Sequence, residues 1–257
     1  VTDKTVGHKN KQNNKPHTVS LTAYRIGESE VTQELWQAVM DNNPSRFKGA
    51  ENPPDGSEVQ EKRPMESVNW YQCIAFCNEL TKKVPELGES QCVYTVDGHT
   101  YGTTDATAKK EPAMDMNKKG FRLPTEAEWE WAAMGGTEHK WAGTNVKGQL
   151  INYAWYSDSD GGNANNKTHE VKKKQANGYG LYDMSGNVWE WCWDWYGTIA
   201  TGMEPEKDPQ GPDLGLRRVV RSGNWYDGAA ACMLALRYSF HPKGFTPLLG
   251  FRLACRS

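Results

Sequence analysis

Residues 187–195 read NVWEWCWDW, and this stretch limits the possible folds more than any other. The period-two alternation marks a strand, with Trp189, Trp191, Trp193 and Trp195 on one face and Glu190, Cys192 and Asp194 on the other. Each indole carries about 150–250 Å² of surface to be removed from water. Four of them on one face must be core. Glu190 then stands between two indoles, where an unpaired charge would be costly.

A chain of 257 residues and 28.9 kDa can bury such a core, and at this length one domain is expected rather than two. Eleven tryptophans and 25 glycines in a chain only 37% apolar point to a loop-rich fold held by aromatic anchors. Net charge is -2 and the basic residues are spread among acidic ones, so a nucleic-acid partner is not expected. Lys172, Lys173 and Lys174 read as solvated loop charges. No apolar run reaches the roughly 18 residues of a membrane span. Residues 1–17 are polar and read as a flexible N-terminal segment, not a signal peptide, which leaves residues 18–257 as the domain. If the protein has a leader or lipid anchor, it is expected to have been removed from this chain. The six cysteines permit up to three disulfides or a set of buried thiols, and their spacing lacks the clusters of a zinc site.

Along the chain, TVSLTAYRIG reads as a first strand and EVTQELWQAVMDNN as a helix burying Val31, Leu35, Trp36, Val39 and Met40. NWYQCIAFCNELTKK is a second helix, with Trp70, Ile74 and Cys77 inward. Residues 85–120 read as strand and loop, with a hairpin turning at Asp97 and Gly98. The sharpest local signal is LPTEAEWEWAAMGG: Thr125 as N-cap, Glu128 three residues on, and Gly135 and Gly136 past the last turn encode a capped helix burying Trp129, Ala132 and Ala133. Residues 137–180 are surface loop. RRVVRSG and GFRLAC supply the last strands, the second with Phe251, Leu253 and Cys255 on one side.

Taken in order, IGESEVTQELWQAV, PMESVNWYQCIAFCNEL, FRLPTEAEWEWAA, NGYGLYDMSGNVWEWCWDW, RVVRSGNW and GFRLA resemble the motif series of the formylglycine-generating-enzyme-like (FGE-sulfatase) family over roughly residues 18–254. The resemblance implies an α+β domain with a C-type-lectin-like fold of that subtype: a small twisted antiparallel sheet, short helices and much irregular loop. Fold alone does not give function. The family's enzymes use a cysteine pair, one just past the RGGSW-like motif and one five residues on, to bind copper and oxidise a substrate cysteine. Here Asp227 stands at the first position and Cys232 at the second. A carboxylate and a thiolate make a poor Cu(I) site, so no copper and no catalytic residue are expected. No Ser/His/Asp order, P-loop or HExxH offers another chemistry. The alternatives are a copper-dependent oxidase or related sulfur-chemistry enzyme, and a structural or regulatory domain of the same fold.

A second branch of the fold comprises the variable proteins of diversity-generating retroelements, in which a reverse transcriptase rewrites the C-terminal coding segment at template adenines. The ending resembles these: RVVRSGNW, the ANR-like Ala235–Arg237 and GFRLAC bracket YDGAAACMLALRYSFHPKGFTPLL, within a variable region of about 218–257. Diversified AAY codons cannot yield Glu, Lys, Gln, Met or Trp. These types make up 65 of the 233 residues outside 226–249 and two of the 24 inside, Met233 and Lys243, which are then not diversified positions. The resemblance implies a ligand-binding face of Tyr226, Asp227, Gly228, Leu236, Tyr238, Phe240, His241, Gly244 and Phe245, the residue mixture that paratopes favour. Its partner would be a protein or other cell-surface ligand. The protein would act as a monomer at the cell surface or outside the cell, with a lipoprotein anchor as one means of attachment. The competing reading takes 231–241 as a plain strand, with Cys232, Leu234, Leu236, Tyr238 and Phe240 turned inward.

In LYDMSGNVWEW the family binds calcium, which implies ligands here from the Asp183 side chain, the Gly186 and Val188 carbonyls and the Glu190 carboxylate. One calcium ion is the expected cofactor. A carboxylate satisfied by loop groups is the competing reading of Glu190.

Overall fold

The computed structural model describes residues 2–9, 13–199, 201–202 and 204–257. Strand β1 (Thr2–Val6) pairs antiparallel with β2 (His17–Leu21) from Thr2 opposite Leu21 to Val6 opposite His17. The N-terminal segment expected to be flexible therefore carries a strand, with residues 1 and 10–12 outside the described set. Val6, Val19 and Leu21 pack against Ala127, and the Lys4 ammonium lies 4.6 Å over the Trp131 ring. Asn14 is fully buried, donating to Glu130 and to the Ala235 carbonyl. TVSLTAYRIG is two strands, β2 and β3 (Tyr24–Ile26), since the chain leaves β2 at Thr22, whose N–H and hydroxyl both donate to Asp208.

Helix α1 (Gln33–Met40) starts at Thr32, whose hydroxyl accepts the Leu35 N–H, and stops at Asp41 in the left-handed region. Helix α2 (Trp70–Lys83) opens on a capping box of Asn69 and Gln72 and is buried over most of its circumference, not along one stripe. Strands β4 (Tyr94–Val96) and β5 (His99–Thr100) form the expected hairpin, with Asp97 at φ 49° and Gly98 at φ 80°, the sign pair of a type I′ turn. Helix α3 (Thr103–Ala108) and strand β6 (Ala113–Met114) occupy a region that reads as strand and loop. Helix α4 (Glu126–Met134) has the expected boundaries, with the Thr125–Glu128 capping box and Gly135 left-handed at φ 61°.

Beyond a long loop come β7 (Trp189–Trp195), β8 (Glu206–Lys207), β9 (Arg218–Arg221), β10 (Tyr238–Phe240), β11 (Leu249–Gly250) and β12 (Ala254–Arg256). The central sheet runs β10-β9-β7-β11, and β12 pairs with β3 to join the two ends of the chain. GFRLAC is thus two short strands around an irregular step at 251–253.

Both faces of β7 are buried. Trp189, Trp191 and Trp193 face α1 and α2, where Trp36 stacks on Phe76 at 5.0 Å and Phe251 meets both edge-on. Trp195 is only half-buried, so three of the four indoles are fully in the core; its ring lies 3.5 Å from the Arg218 guanidinium. On the other face Cys192 packs with Trp129, Ala132, Ala133 and Leu234. Asp194 accepts the Glu126 N–H at 2.8 Å, and burial, then the Glu126 charge, pushes its carboxyl up to about 8. All six cysteines are free thiols. Among the described residues no helix is long and apolar enough to cross a membrane.

Trp191→Ala and Phe251→Ala are each expected to cost about 3–5 kcal/mol through the cavity left, whereas Thr125→Ala costs about 1 kcal/mol through the lost cap. Urea unfolding at constant m-value measures both. A Phe251→Ala loss no larger than that of Thr125→Ala would remove residue 251 from the core.

Candidate ligand-binding surface

Strand β10 is the outer edge of the central sheet, and its register carries the tryptophan face of β7 outward. Tyr238 lies opposite Val220, which lies opposite Trp191. The Tyr238 ring stacks on Trp189 with centroids 5.6 Å apart, Phe240 meets Tyr238 edge-on at 5.5 Å, and Phe240 in turn meets Trp191 at 6.3 Å. Tyr238 remains 50% exposed while Phe240 and Leu236 are half-buried against the same core. The stripe therefore runs from core to solvent without a break. Of residues 231–241 only Tyr238–Phe240 form a strand, and Tyr238 does not turn into the core as the plain-strand reading requires.

Residues 226–228 reach this surface through Asn224, which is fully buried. Its Oδ1 accepts the N–H groups of Tyr226 (2.7 Å) and Asp227 (3.1 Å), and its Nδ2 donates to Asp227 Oδ2 at 2.6 Å. The same carboxylate oxygen accepts from Trp189 Nε1 at 3.1 Å. Trp189 thus touches both groups of residues, stacking on Tyr238 and donating to Asp227. Tyr226 is 60% exposed and meets Trp225 edge-on, and Trp225 is fixed by donating to the Pro247 carbonyl. At Gly228 an added Cβ would come within 3.0 Å of Asp160 Oδ2, which accepts the Ala229 N–H, so a larger residue there must displace Asp160.

His241, Gly244 and Phe245 follow on a tight turn closed by Gly244 N–H to the His241 carbonyl at 2.7 Å. The turn is docked on the start of α2 by Trp70 N–H to the Pro242 carbonyl, and Phe245 is 69% exposed on it. Arg237, between the half-buried Leu236 and the exposed Tyr238, is buried in a bidentate pair with Glu126, both contacts at 2.7 Å. The sequence does not reveal Trp189 and Asn224 as supports of the surface. A tryptophan on a core face and an asparagine in a loop carry no such signal until the register is known. No residue of this surface lines the 390 Å³ cavity between Glu126, Asp194 and Arg237.

Cys232, at the position of the enzymes' second cysteine, is fully buried, and burial followed by the Asp227 charge pushes its thiol well up. Asp227 offers hard carboxylate oxygens where a Cu(I) site needs a thiolate, and its Oδ2 already accepts two hydrogen bonds.

Of the residues read as calcium ligands, Glu190 and the Gly186 carbonyl are engaged by other groups. Glu190 is fully buried and accepts from Arg252 Nε (2.6 Å) and Nη2 (2.7 Å) and from Trp129 Nε1 (2.6 Å). Its charge is balanced by a guanidinium, not by loop amides. The Gly186 carbonyl accepts from the Ser222 hydroxyl, and Val188 is buried beside Gly250. Asp183 is left-handed at φ 56°, and its Oδ2 accepts the Lys172 N–H. Its Oδ1 has no partner, nor has either carboxylate oxygen of the buried Glu30. Burial, then the Asp183 and Glu190 charges, holds Glu30 well above the usual carboxylate range, and burial pushes Asp183 up to about 6. Among the described residues no group of three or more His, Cys, Asp or Glu side chains is arranged to hold a metal ion.

Residues 3–257 match the family model of the sulfatase-modifying factor enzyme 1-like (FGE-sulfatase) domain. Among solved structures the chain is similar to Treponema denticola variable protein 1, with 50% sequence identity and a TM-score of 0.89 over 100% of this chain and 92% of that one. Among curated proteins it is similar to chaperone protein LppX of Paenibacillus barcinonensis, at 33% identity over 91% of this chain and 81% of the relative. It is also similar to the formylglycine-generating enzyme of Streptomyces coelicolor, at 36% identity over 52% of this chain, which spans 46% of that enzyme.

Because Tyr238 and Phe240 stand at the outer end of the stripe, Tyr238→Ser is expected to cost only about 0.5–1.5 kcal/mol, the scale of an aromatic pair. The double variant Tyr238→Ser, Phe240→Ser is expected to cost about 1–3 kcal/mol and to keep a cooperative thermal melt. Collapse of the melt would assign both rings to the core.

Proposed function

Since the chain belongs to the sulfatase-modifying factor enzyme 1-like (FGE-sulfatase) domain family and has its C-type-lectin-like fold, we propose that it is a non-catalytic, surface-displayed ligand-binding protein whose C-terminal segment is diversified by a retroelement. The half-identical Treponema variable protein supports this reading along the whole chain. The single observation that carries it is local. Where the family's enzymes would place the first copper cysteine, Asp227 is tied to Asn224 and Trp189, and Trp189 bears the half-exposed Tyr238. The position serves a binding face.

That face is an open aromatic edge rather than a cleft, which suits a protein or other large ligand more than a small molecule. Tyr226, Tyr238 and Phe245 supply large, stiff contact area at low entropic cost, with Tyr238 and Phe240 as the anchors. His241, Gly228 and Gly244 complete it. The protein acts as a monomer at the cell surface or outside the cell, with lipoprotein attachment as one arrangement, because a diversified face is useful only where new partners are met.

A genomic test separates this from a constant domain of the same fold. A near-copy of the 3′ coding segment beside a reverse-transcriptase gene, with differences between clonal isolates at the codons of the face, is expected. Its absence, together with identical isolates, sinks the proposal.

The second reading, a copper-dependent oxidase, is favoured by the enzyme relatives and by Cys232. With copper loaded and a cysteine-containing peptide supplied, oxygen consumption is expected to stay at background. Turnover that Cys232→Ala abolishes would establish the oxidase.

A further inference from the structure

The 390 Å³ cavity beside Arg237 lies between α4, β2, the end of β7 and the loop at 197–212. Two of its lining carboxylates are almost wholly buried, Asp194 at 4% and Glu130 at 3% exposure. Asp194 accepts the Glu126 N–H through Oδ2, and Glu130 accepts from Asn14 and Arg221 through Oε1. Asp194 Oδ1 and Glu130 Oε2 have no partner in another described residue. The 197–212 loop passes over Asp194 at Gly211, which is left-handed at φ 75°. A Cβ there would sit 3.3 Å from Oδ1, so glycine leaves that oxygen open to the cavity.

The groups around this space are one-sided. Glu204 and Glu206 line it too, and Arg237 is the one Lys or Arg among its described lining residues. Every nitrogen of Arg237 is already engaged, by Glu126 and by the Asn13 and Gly197 carbonyls, so no guanidinium is left for an anion. Val19, Ala127, Ile199 and Pro212 add an apolar wall. Spare carboxylate oxygens beside an aliphatic wall complement an ammonium on a methylene stem, and the volume falls within the roughly 300–1,000 Å³ of small-ligand sites. No Phe, Tyr or Trp lines the cavity, so it lacks the aromatic cage of a quaternary ammonium site.

We propose that this cavity is a second binding site, separate from the variable face, that takes a primary alkylammonium group on Asp194 Oδ1 with Glu130 Oε2 beside it. Two sources share that chemistry, a free aliphatic diamine and a lysine side chain of another protein.

The charge on Glu126 is answered by Arg221 and Arg237, which leaves Asp194 as the group that responds to the ligand. Burial, then the Glu126 charge, raises its carboxyl to about 8, with Glu128 adding to the rise and Cys192 and Arg218 the other titratable groups near it. At pH 7 Asp194 is therefore mostly the neutral acid. A seated ammonium replaces that proton, which leaves for solvent, so amine affinity rises as pH rises through this range.

The test is calorimetry on the full chain with 1,4-diaminobutane, with a blocked lysine peptide, and with 1,4-butanediol as the uncharged control. An amine is expected to bind, to release close to one proton at pH 7, and to bind about eightfold tighter at pH 8.5 than at pH 7. Asp194→Asn, which can still accept the Glu126 N–H, is expected to melt no lower than wild type, to bind at least about tenfold more weakly, and to lose the pH dependence. Binding of the diamine assigns a free amine, and binding of the peptide alone assigns a lysine side chain. The site is refuted if wild type binds neither up to about 1 mM, if butanediol binds as well as the amine, or if folded Asp194→Asn binds undiminished.

Discussion

The ion pair between Glu190 and Arg252 is the constraint on which the rest of the molecule rests. Both side chains are fully buried, and the pair is completed by the Trp129 indole, so one carboxylate joins the central strand β7, helix α4 and the C-terminal step after β11. Buried pairs of this kind contribute little relative to an apolar filling, but losing one partner typically costs about 3–5 kcal/mol because the other is left charged and unpaired. The pair therefore acts more as a register pin than as a source of stability. With β7 fixed this way, one face is free to carry the tryptophan stripe and the other to pack on α4.

The same arrangement lets the outer surface change without disturbing the inside. The backbone of residues 222–228 is shaped by side chains that do not themselves face the ligand: Asn224 holds Tyr226 and Asp227, and Asp160 holds Ala229. Arg237 pins the chain to Glu126 one residue before the exposed Tyr238. Side chains at Tyr226, Tyr238 and Phe245 project from a path they did not determine. Substitution at such positions removes contacts from the rim of the core while leaving every backbone hydrogen bond in place, which is the physical requirement for a segment that must tolerate many sequences.

Much of this was legible where the signal is local. The α4 capping box, the Asp97–Gly98 turn and the two-sided identity of NVWEWCWDW are encoded within a few residues, and each appears as read. What was not legible depends on partners far along the chain. The polar stretch at residues 2–6 becomes a strand only because β2 pairs with it, and nothing in its composition announces that pairing. Trp195 falls short of full burial because its position lies at the sheet's end beside Arg218. The alternation of Glu190 with indoles shows that its charge must be answered, but the answer, Arg252, lies 62 residues away.

The loop at 183–188 links these features. Ser222 donates to the Asp183 and Gly186 carbonyls, Gly186 N–H returns a bond to the Ser222 carbonyl at 2.8 Å, and Trp225 N–H donates to the Asn187 carbonyl at 2.9 Å. Gly186 is left-handed at φ 85°, and a Cβ there would sit 2.2 Å from the Trp155 carbonyl, so the loop can take this path only with glycine. The segment that opens the variable face is thus hydrogen-bonded to the loop that carries Asp183. Through Ser222 and Trp225 that loop holds the platform from which Tyr226 and Asp227 project. A binding surface whose side chains vary gains affinity chiefly when its backbone is already in place before the ligand arrives, and here part of that support comes from the 183–188 loop, which lies outside the variable segment.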